Sequence, residues 1–441
     1  MTSPTQPAEV TAPEPQAEIV VHKVVEQPPT LRARIVGGII LIAVGVVCAV
    51  VLGLSATAHT SAEFILSPSS PKLSVTLPAR TTCIVLGVVV AALGVWQLAV
   101  GWRRRAMRWV LTATLACFVI SFLCWAVTGA PGTSFDLLGL LQNTILTAVP
   151  LILGALAGVL CERSGVINVA IEGQMLAGAF AGALVASVAS NGYVGIVGAM
   201  IAGALMGLML AAFAIRYVVN QVVLGVVLNV FALGLTGFIY DALMQPHADA
   251  LNNPKIFDPI AIPLLSKIPV LGPLLFDANI IVYLMYVLIV VVDVALFRTR
   301  WGLRTRAVGE HPKAADTVGI KVLAVRYRNV VMGGAVAGLA GAYLTLGSVG
   351  AFSKNISSGK GFIALAAVIF GRWSPRGAIA AALLFGFSDA VATVLSFTQT
   401  PVQIPSNFLV MLPYLATLFA VAGLVGRVQA PGADGEPYVK G

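Results

Sequence analysis

Ten stretches of this chain are each long and apolar enough to form a helix that crosses a lipid bilayer, and no other feature limits its fold as sharply. A crossing helix needs roughly 20 predominantly apolar residues. The segments 36–54, 82–100, 109–127, 137–160, 194–215, 222–243, 278–297, 329–347, 377–397 and 407–426 meet that requirement. Two further stretches are ambiguous. Residues 167–189 carry Asn168, Glu172 and Gln174 near one end. The apolar run 362–370 spans only about 13 Å at 1.5 Å per residue, under half of a bilayer core. If both cross, the chain makes twelve passes and both termini are cytoplasmic. The predicted fold class is all-α: a polytopic transmembrane helical bundle of about 12 segments, including discontinuous helices.

Charge supports this reading. Only 10% of the residues are charged, against about 25% in a soluble domain, so the outer surface must face lipid and a single soluble domain is excluded. The net charge of +9 would point to nucleic acid in a soluble protein. Here, in the twelve-pass arrangement, Arg32 and Arg34, Arg103 to Arg105, Arg216, the loop 298–328, Arg372, Arg376 and Arg427 all fall on one side. That is the positive-inside pattern of cytoplasmic loops. Residues 1–30 hold six prolines and little periodicity, and read as a disordered cytoplasmic tail. The motif Ser55-Ala56-Thr57-Ala58 mimics a signal-peptidase site, but the run before it has the length of a span, so an uncleaved anchor is expected. The five cysteines make no CxxC pair and stand near no histidine at ligand spacing, which leaves them as small apolar packing residues. Small residues at four-residue spacing (Gly178 and Gly182, Gly203 and Gly207, Gly334 and Gly338) predict close helix packing.

Three regions interrupt the apolar pattern. The first is 161–180, where Gly165 and Gly173 bracket a polar stretch. A glutamate in a span costs about 2.5–3.5 kcal/mol, so Glu172 must face protein or water. Either the helix is broken beside a permeation path, or Glu172 sits near an interface and caps a helix. The second is 357–377, a short helix with glycines on both sides, ending in Arg372-Trp373-Ser374-Pro375-Arg376. Paired glycine-interrupted segments in the two halves of a transporter point to its central path. The third is the loop 298–328, with eight Lys/Arg against Glu310 and Asp316. Pro312 suits the first turn of a short helix and Gly319 its C-terminal end, which predicts about two helical turns projecting into the cytoplasm and docking a partner. Elsewhere, Asn229 and Asp389 lie within spans, where they either line a cavity for a hydroxylated solute or join helices by buried hydrogen bonds. Asp293 is expected to pair with Arg298 or Arg300.

No covalent chemistry is legible. There is no HExxH, GxSxG or Walker A sequence, the four histidines do not cluster, and no catalytic, cofactor or metal site is expected. A transporter without a nucleotide site must draw on a partner or on an ion gradient.

Read together, the blocks 140–180, 220–238, 302–322 and 359–390 resemble permeases of the ribose/branched-chain-amino-acid class of ABC importers, closest to nucleoside and simple-sugar permeases. The resemblance spans 137–426 with the blocks in order. It implies a cytoplasmic ABC ATPase carrying the ATP and Mg, a second related permease in a pseudo-symmetric heterodimer, an extracytoplasmic solute-binding lipoprotein, and the bacterial plasma membrane as location. It places Arg306, Glu310, His311, Pro312, Asp316 and Gly319 on the ATPase-docking surface of a 302–319 coupling loop. Asn168, Glu172, Gln174, Asn229, Phe362 and Asp389 are the expected residues of the translocation path. Two features depart from the family pattern: His311 stands where an asparagine is frequent, and three spans precede the core. The expected organisation is a disordered tail over 1–35, a three-helix extension over 36–136, the permease core over 137–426 and a cytoplasmic tail over 427–441. Nucleosides rank first as solutes, simple sugars second, branched-chain amino acids third. The competing reading is an ion-gradient-driven secondary transporter with Glu172 and Asp389 as coupling carboxylates. A membrane-embedded enzyme lacks any clustered nucleophile, base or metal site.

Overall fold

A computed structural model describes residues 31–56, 60–67, 73–128, 134–397, 405–412 and 429–439. Ten of its helices have the length and apolarity of membrane spans: α1 (Arg34–Ser55), α2 (Ala79–Ala99), α3 (Trp109–Val127), α4 (Leu137–Glu162), α5 (Ile171–Ala189), α6 (Gly192–Arg216), α7 (Gln221–Met244), α8 (Ile280–Arg298), α11 (Val322–Val349) and α13 (Pro375–Phe397). Two short helices, α9 (Arg300–Glu310) and α10 (Pro312–Thr317), lie between α8 and α11, and α12 (Lys360–Phe370) precedes α13. The fold is an all-α polytopic bundle. The ambiguous stretch 167–189 resolves into a full-length helix entered through a non-helical segment, whereas α12 is too short to cross by itself. The predicted span 407–426 opens with α14 (Ser406–Val410), and from residue 413 onward it lies outside the described residues, as does the predicted disordered tail before residue 31.

Asparagine and aspartate side chains set where spans begin. Asp136, Asn191, Asn220 and Asn279 accept backbone N–H groups in the first turns of α4, α6, α7 and α8, satisfying donors that a helix leaves open. Helices α4, α5 and α11 are largely buried, while α1, α2 and α8 bury only a minority of their residues. The exposed stripe of α7 is valine-rich (Val222, Val223, Val226, Val227, Val230). Such all-round apolarity belongs in lipid or against another membrane subunit.

The three glycine pairs form one seam. A Cβ on Gly203 would fall 2.6 Å from Gly338 Cα, and one on Gly178 would fall 2.5 Å from that same atom. Three backbones, those of α5, α6 and α11, therefore meet where no side chain fits. Without a hydrophobic drive between helices in lipid, such close packing is what holds them together.

The extension ahead of residue 137 joins the core through a feature that the apolar pattern did not announce. Strands β1 (Ser61–Ser67), β2 (Leu73–Pro78) and β3 (Ser134–Asp136) form a sheet in the order β2-β1-β3. Phe64 of β1 pairs antiparallel with Val75 and parallel with Phe135. Because β3 runs straight into α4, the sheet ties the three added helices to the core, and Phe64 and Phe135 pack in one cluster with Leu140, Ala390 and Leu395.

Candidate functional site: two chain breaks joined at Glu172

Two non-helical segments interrupt the core, 163–170 before α5 and 350–359 before α12. The first doubles back beside α4. A Cβ on Gly154 would meet Ala364 at 2.8 Å and Ile171 at 3.4 Å, and one on Gly158 would meet Val368 at 2.7 Å and Ile171 at 3.2 Å. Gly154 and Gly158 lie about 12 and 6 Å along the helix from its end at Glu162. Helix α5 thus starts well inside the bundle, and α12 runs beside the last turns of α4.

Irregular backbone at membrane depth must find its hydrogen bonds within the protein. Helix α7 supplies them for the first break. Gln221 accepts the N–H of Ile167 at 2.7 Å, and Asn229 both accepts from Gly173 N–H at 2.8 Å and donates to Val169 O at 2.9 Å. Within the segment, Asn168 donates to Gln174 Oε1 at 3.0 Å and to Cys161 Sγ at 3.4 Å, with Asn168 and Gln174 fully buried. Asn252 serves the second break by accepting from Phe352 N–H at 2.7 Å and donating to its carbonyl at 2.9 Å.

Glu172 links the two breaks. Its carboxylate accepts from Ser357 Oγ at 2.6 Å, Gly359 N–H at 2.8 Å and Gly361 N–H at 2.6 Å. Asn355, Ser358 and Gly359 all have positive φ, which turns these N–H groups toward the acid. The partners stand at the N-terminus of α12, where a carboxylate is stabilised by the helix dipole and by orphan donors. Glu172 lies in the first turn of its own helix, just after the first break, and the helix whose N-terminus it caps follows the second. Phe362, on the first turn of α12, is half exposed, and Asp389 is half buried along α13. These two are not drawn into the network around Glu172.

The ends of α4, α8, α12 and α13 gather on one basic face. Arg163 donates to Trp373 O at 2.6 Å, and the Trp373 indole N–H donates to Glu162. Asp293 accepts from Arg376 at 2.8 Å, not from Arg298 or Arg300 as expected from sequence proximity. The reason is that α13 starts beside the end of α8. On this face the 298–328 loop is a helical hairpin rather than one short helix. Thr299 caps α9 by accepting from Gly302 N–H at 3.2 Å, Pro312 occupies the first turn of α10, and Gly319 adopts φ +83° after it. His311 lies between the two helices, where its carbonyl accepts from Ala315 N–H at 3.0 Å. The Arg163 and Arg306 guanidiniums lie 5.8 and 5.1 Å from the centre of the Phe297 ring.

A group that sequence reasoning passed over completes this face. Residues 429–439 fold back onto the hairpin: Gly432 N–H donates to Glu310 Oε2 at 3.0 Å and Ala433 N–H to Gly309 O at 2.8 Å. Glu310 also stands 3.9 Å from Arg163. Burial pushes the Asp434 carboxyl up to about 7, against the pull of Arg326 and Arg163. Burial likewise lowers the Arg163 guanidinium, with Glu310 opposing. The short polar run after the last span carried no periodic signal, although its Pro431-Gly432-Ala433-Asp434-Gly435 sequence is typical of turns.

Short, glycine-flanked helices that start inside a polytopic bundle are a recurring feature of membrane transport proteins. Residues 140–426 match the family described as branched-chain amino acid transport system / permease component, and the chain belongs to that family. It is 42% identical over 305 residues to the guanosine ABC transporter permease protein NupQ of Bacillus subtilis (strain 168), covering 68% of this chain and 95% of that protein. It is 37% identical to the nucleoside ABC transporter permease protein NupC of Lactococcus lactis subsp. cremoris (strain MG1363), covering 68% of this chain and 96% of the relative. It is 36% identical to the putative glucose ABC transporter permease protein TsgC13 of Haloferax volcanii, covering 57% and 76%. No solved structure matches it. The chain is a multi-pass ABC importer permease and not an enzyme.

Proposed function

We propose that this chain carries nucleosides across the plasma membrane as one half of a permease pair. In this reading a cytoplasmic ABC ATPase holds the ATP and Mg and drives it through the 302–319 hairpin, an extracytoplasmic lipoprotein delivers the solute, and both termini are cytoplasmic. The observation that carries the nucleoside assignment is the 42% identity to a guanosine permease over 95% of that protein's length. Simple sugars are the second reading, favoured by the likeness to a putative glucose permease.

The geometry supports a division of labour within the site. Asn168, Glu172, Gln174 and Asn229 are nearly fully buried and engaged with the two breaks, so they shape the path. Phe362 and Asp389 are the more exposed residues available to a passing solute. Three donors already occupy Glu172, which disfavours it as a free ion-coupling carboxylate and favours ATP-driven transport over a gradient-driven carrier.

Uptake of labelled guanosine, uridine and ribose by cells lacking this chain tests the assignment. Lost nucleoside uptake, restored by the cloned gene, is expected. Unchanged nucleoside uptake with lost ribose uptake overturns it in favour of sugar, and uptake that persists without ATP but follows an ion gradient overturns the ABC coupling.

A further inference from the structure

We propose that the C-terminal segment 429–439 is a brace that positions the α9–α10 hairpin against the first chain break, so that force on the hairpin reaches residues 163–170. The proposal rests on the reading of that hairpin as the ATPase-docking surface.

The segment touches each element of the junction. Toward α9 it donates two backbone N–H groups, Ala433 to Gly309 O and Gly432 to the Glu310 carboxylate. Toward α9, α10 and α11 it buries Tyr438 among Val308, Ala315, Val322 and Val325. Toward α11 it also accepts, through Glu436 O, a 2.8 Å hydrogen bond from Arg326, a side chain only 1% exposed. Toward the break it packs Gly435 so tightly that a Cβ there would fall 2.6 Å from Ile167 Cδ1. The fit is reciprocal, because a Cβ on Gly165 would fall 3.0 Å from Ala433 O and 2.8 Å from Arg326 Nη2.

The local sequence prepares this shape. Asp434 N–H donates to Pro431 O at 3.0 Å and Glu436 N–H to Ala433 O at 3.2 Å, which forms consecutive turns, and Gly435 takes φ +80°. A solvated tail needs none of these contacts. Glu310 also bonds Gly432 of the brace while facing Arg163 at the start of the break, so the brace fixes the carboxylate through which hairpin and break meet. Hairpin and break already touch at Gly309, where a Cβ would fall 3.3 Å from Gly165 N, and the brace holds both sides of that contact, so both can bias one packed element.

The test uses the complete complex of ATPase, both permeases and binding protein in proteoliposomes. Three variants of this chain are compared with the full chain: one ending at residue 428, Gly435→Val, and Tyr438→Ala. The readout is the ratio of ATPase rate with loaded binding protein to the basal rate. We expect each variant to insert and to co-purify with the ATPase at its basal rate, while the ratio falls about tenfold, within the usual range of allosteric coupling. Tyr438→Phe, which keeps the buried ring, restores it. An unchanged ratio in all three variants overturns the brace, and so does loss of membrane insertion in all three, which makes the segment a folding requirement. A full chain stimulated by ribose but not guanosine overturns the nucleoside reading and leaves the ratio as the measure of the brace. A full chain that couples to no ATPase overturns the hairpin reading and the brace with it.

Discussion

Replacing Glu172 with alanine should loosen the bundle where its two interrupted halves meet. The side chain is 7% exposed and accepts three hydrogen bonds, two from backbone N–H groups at the start of α12. Removing it leaves those two N–H groups without an acceptor in a dry interior, at about 1–3 kcal/mol each. The loss of a carboxylate from the positive end of the helix adds up to about 1–2 kcal/mol. The net destabilisation expected of Glu172→Ala is therefore about 4 kcal/mol. Glu172→Gln keeps one acceptor oxygen but turns an NH₂ group toward a donor, so about half that loss is expected. Reversible unfolding of the purified chain in mixed micelles measures both, with Trp373, three residues beyond α12, as a fluorescent reporter. A double-mutant cycle with Ser357→Ala separates the side-chain bond from the two backbone bonds. A stability loss below about 1 kcal/mol for Glu172→Ala would refute the reasoning, since it would mean that water or another side chain already serves the N-terminus of α12.

Other expectations follow from the same geometry. Asn229→Leu removes both the donor to Val169 O and the acceptor for Gly173 N–H, so a loss of about 2–4 kcal/mol is expected in the same unfolding assay, larger than for Asn229→Gln. Gly338→Leu places a side chain where the α6 backbone leaves no room, and should abolish folded protein by size-exclusion chromatography, since overpacking a seam of backbones cannot be relieved by rotamers. Glu310→Ala together with Asp316→Ala should lose uptake while the chain still reaches the membrane, and a surface-labelling assay separates the two outcomes. Docking of the brace should depend on pH. Asp434 holds its proton up to about 7 when docked and only to about 3.9 when free, so docking is strongest in acid, weakens as pH rises from about 4 to 7, and is weakest above it. The titratable and charged groups facing Asp434 are Cys161 and Glu162 of α4, Arg163, and Arg326 of α11. Spin labels at Lys313 and Val439 should report a change in the docked fraction of up to about tenfold per pH unit in that window, and Asp434→Asn should flatten it.

What could be read from the chain by itself was what depends on local chemistry. Lipid demands about 20 apolar residues per crossing whatever their neighbours do, so the spans and the all-α class were legible. Pro312 and Gly319 mark the limits of α10 because φ is a property of the residue. Glycine spacing announced close packing, and a glutamate in an apolar run announced a special environment. The partners were not legible. Glu172 bonds residues 185 to 189 positions away, Asp293 finds Arg376 rather than its neighbours, and three separate glycine pairs become one seam. The helix α9 was hidden because its basic, amphipathic sequence reads as a loop until the hairpin buries one side of it. The sheet and the brace were missed for a related reason. Short strands and a polar tail carry little periodicity, and only the folded bundle supplies the surface that orders them. Length and apolarity act residue by residue, whereas a hydrogen bond or a backbone contact exists only between two places in the chain, and tertiary structure alone brings those places together.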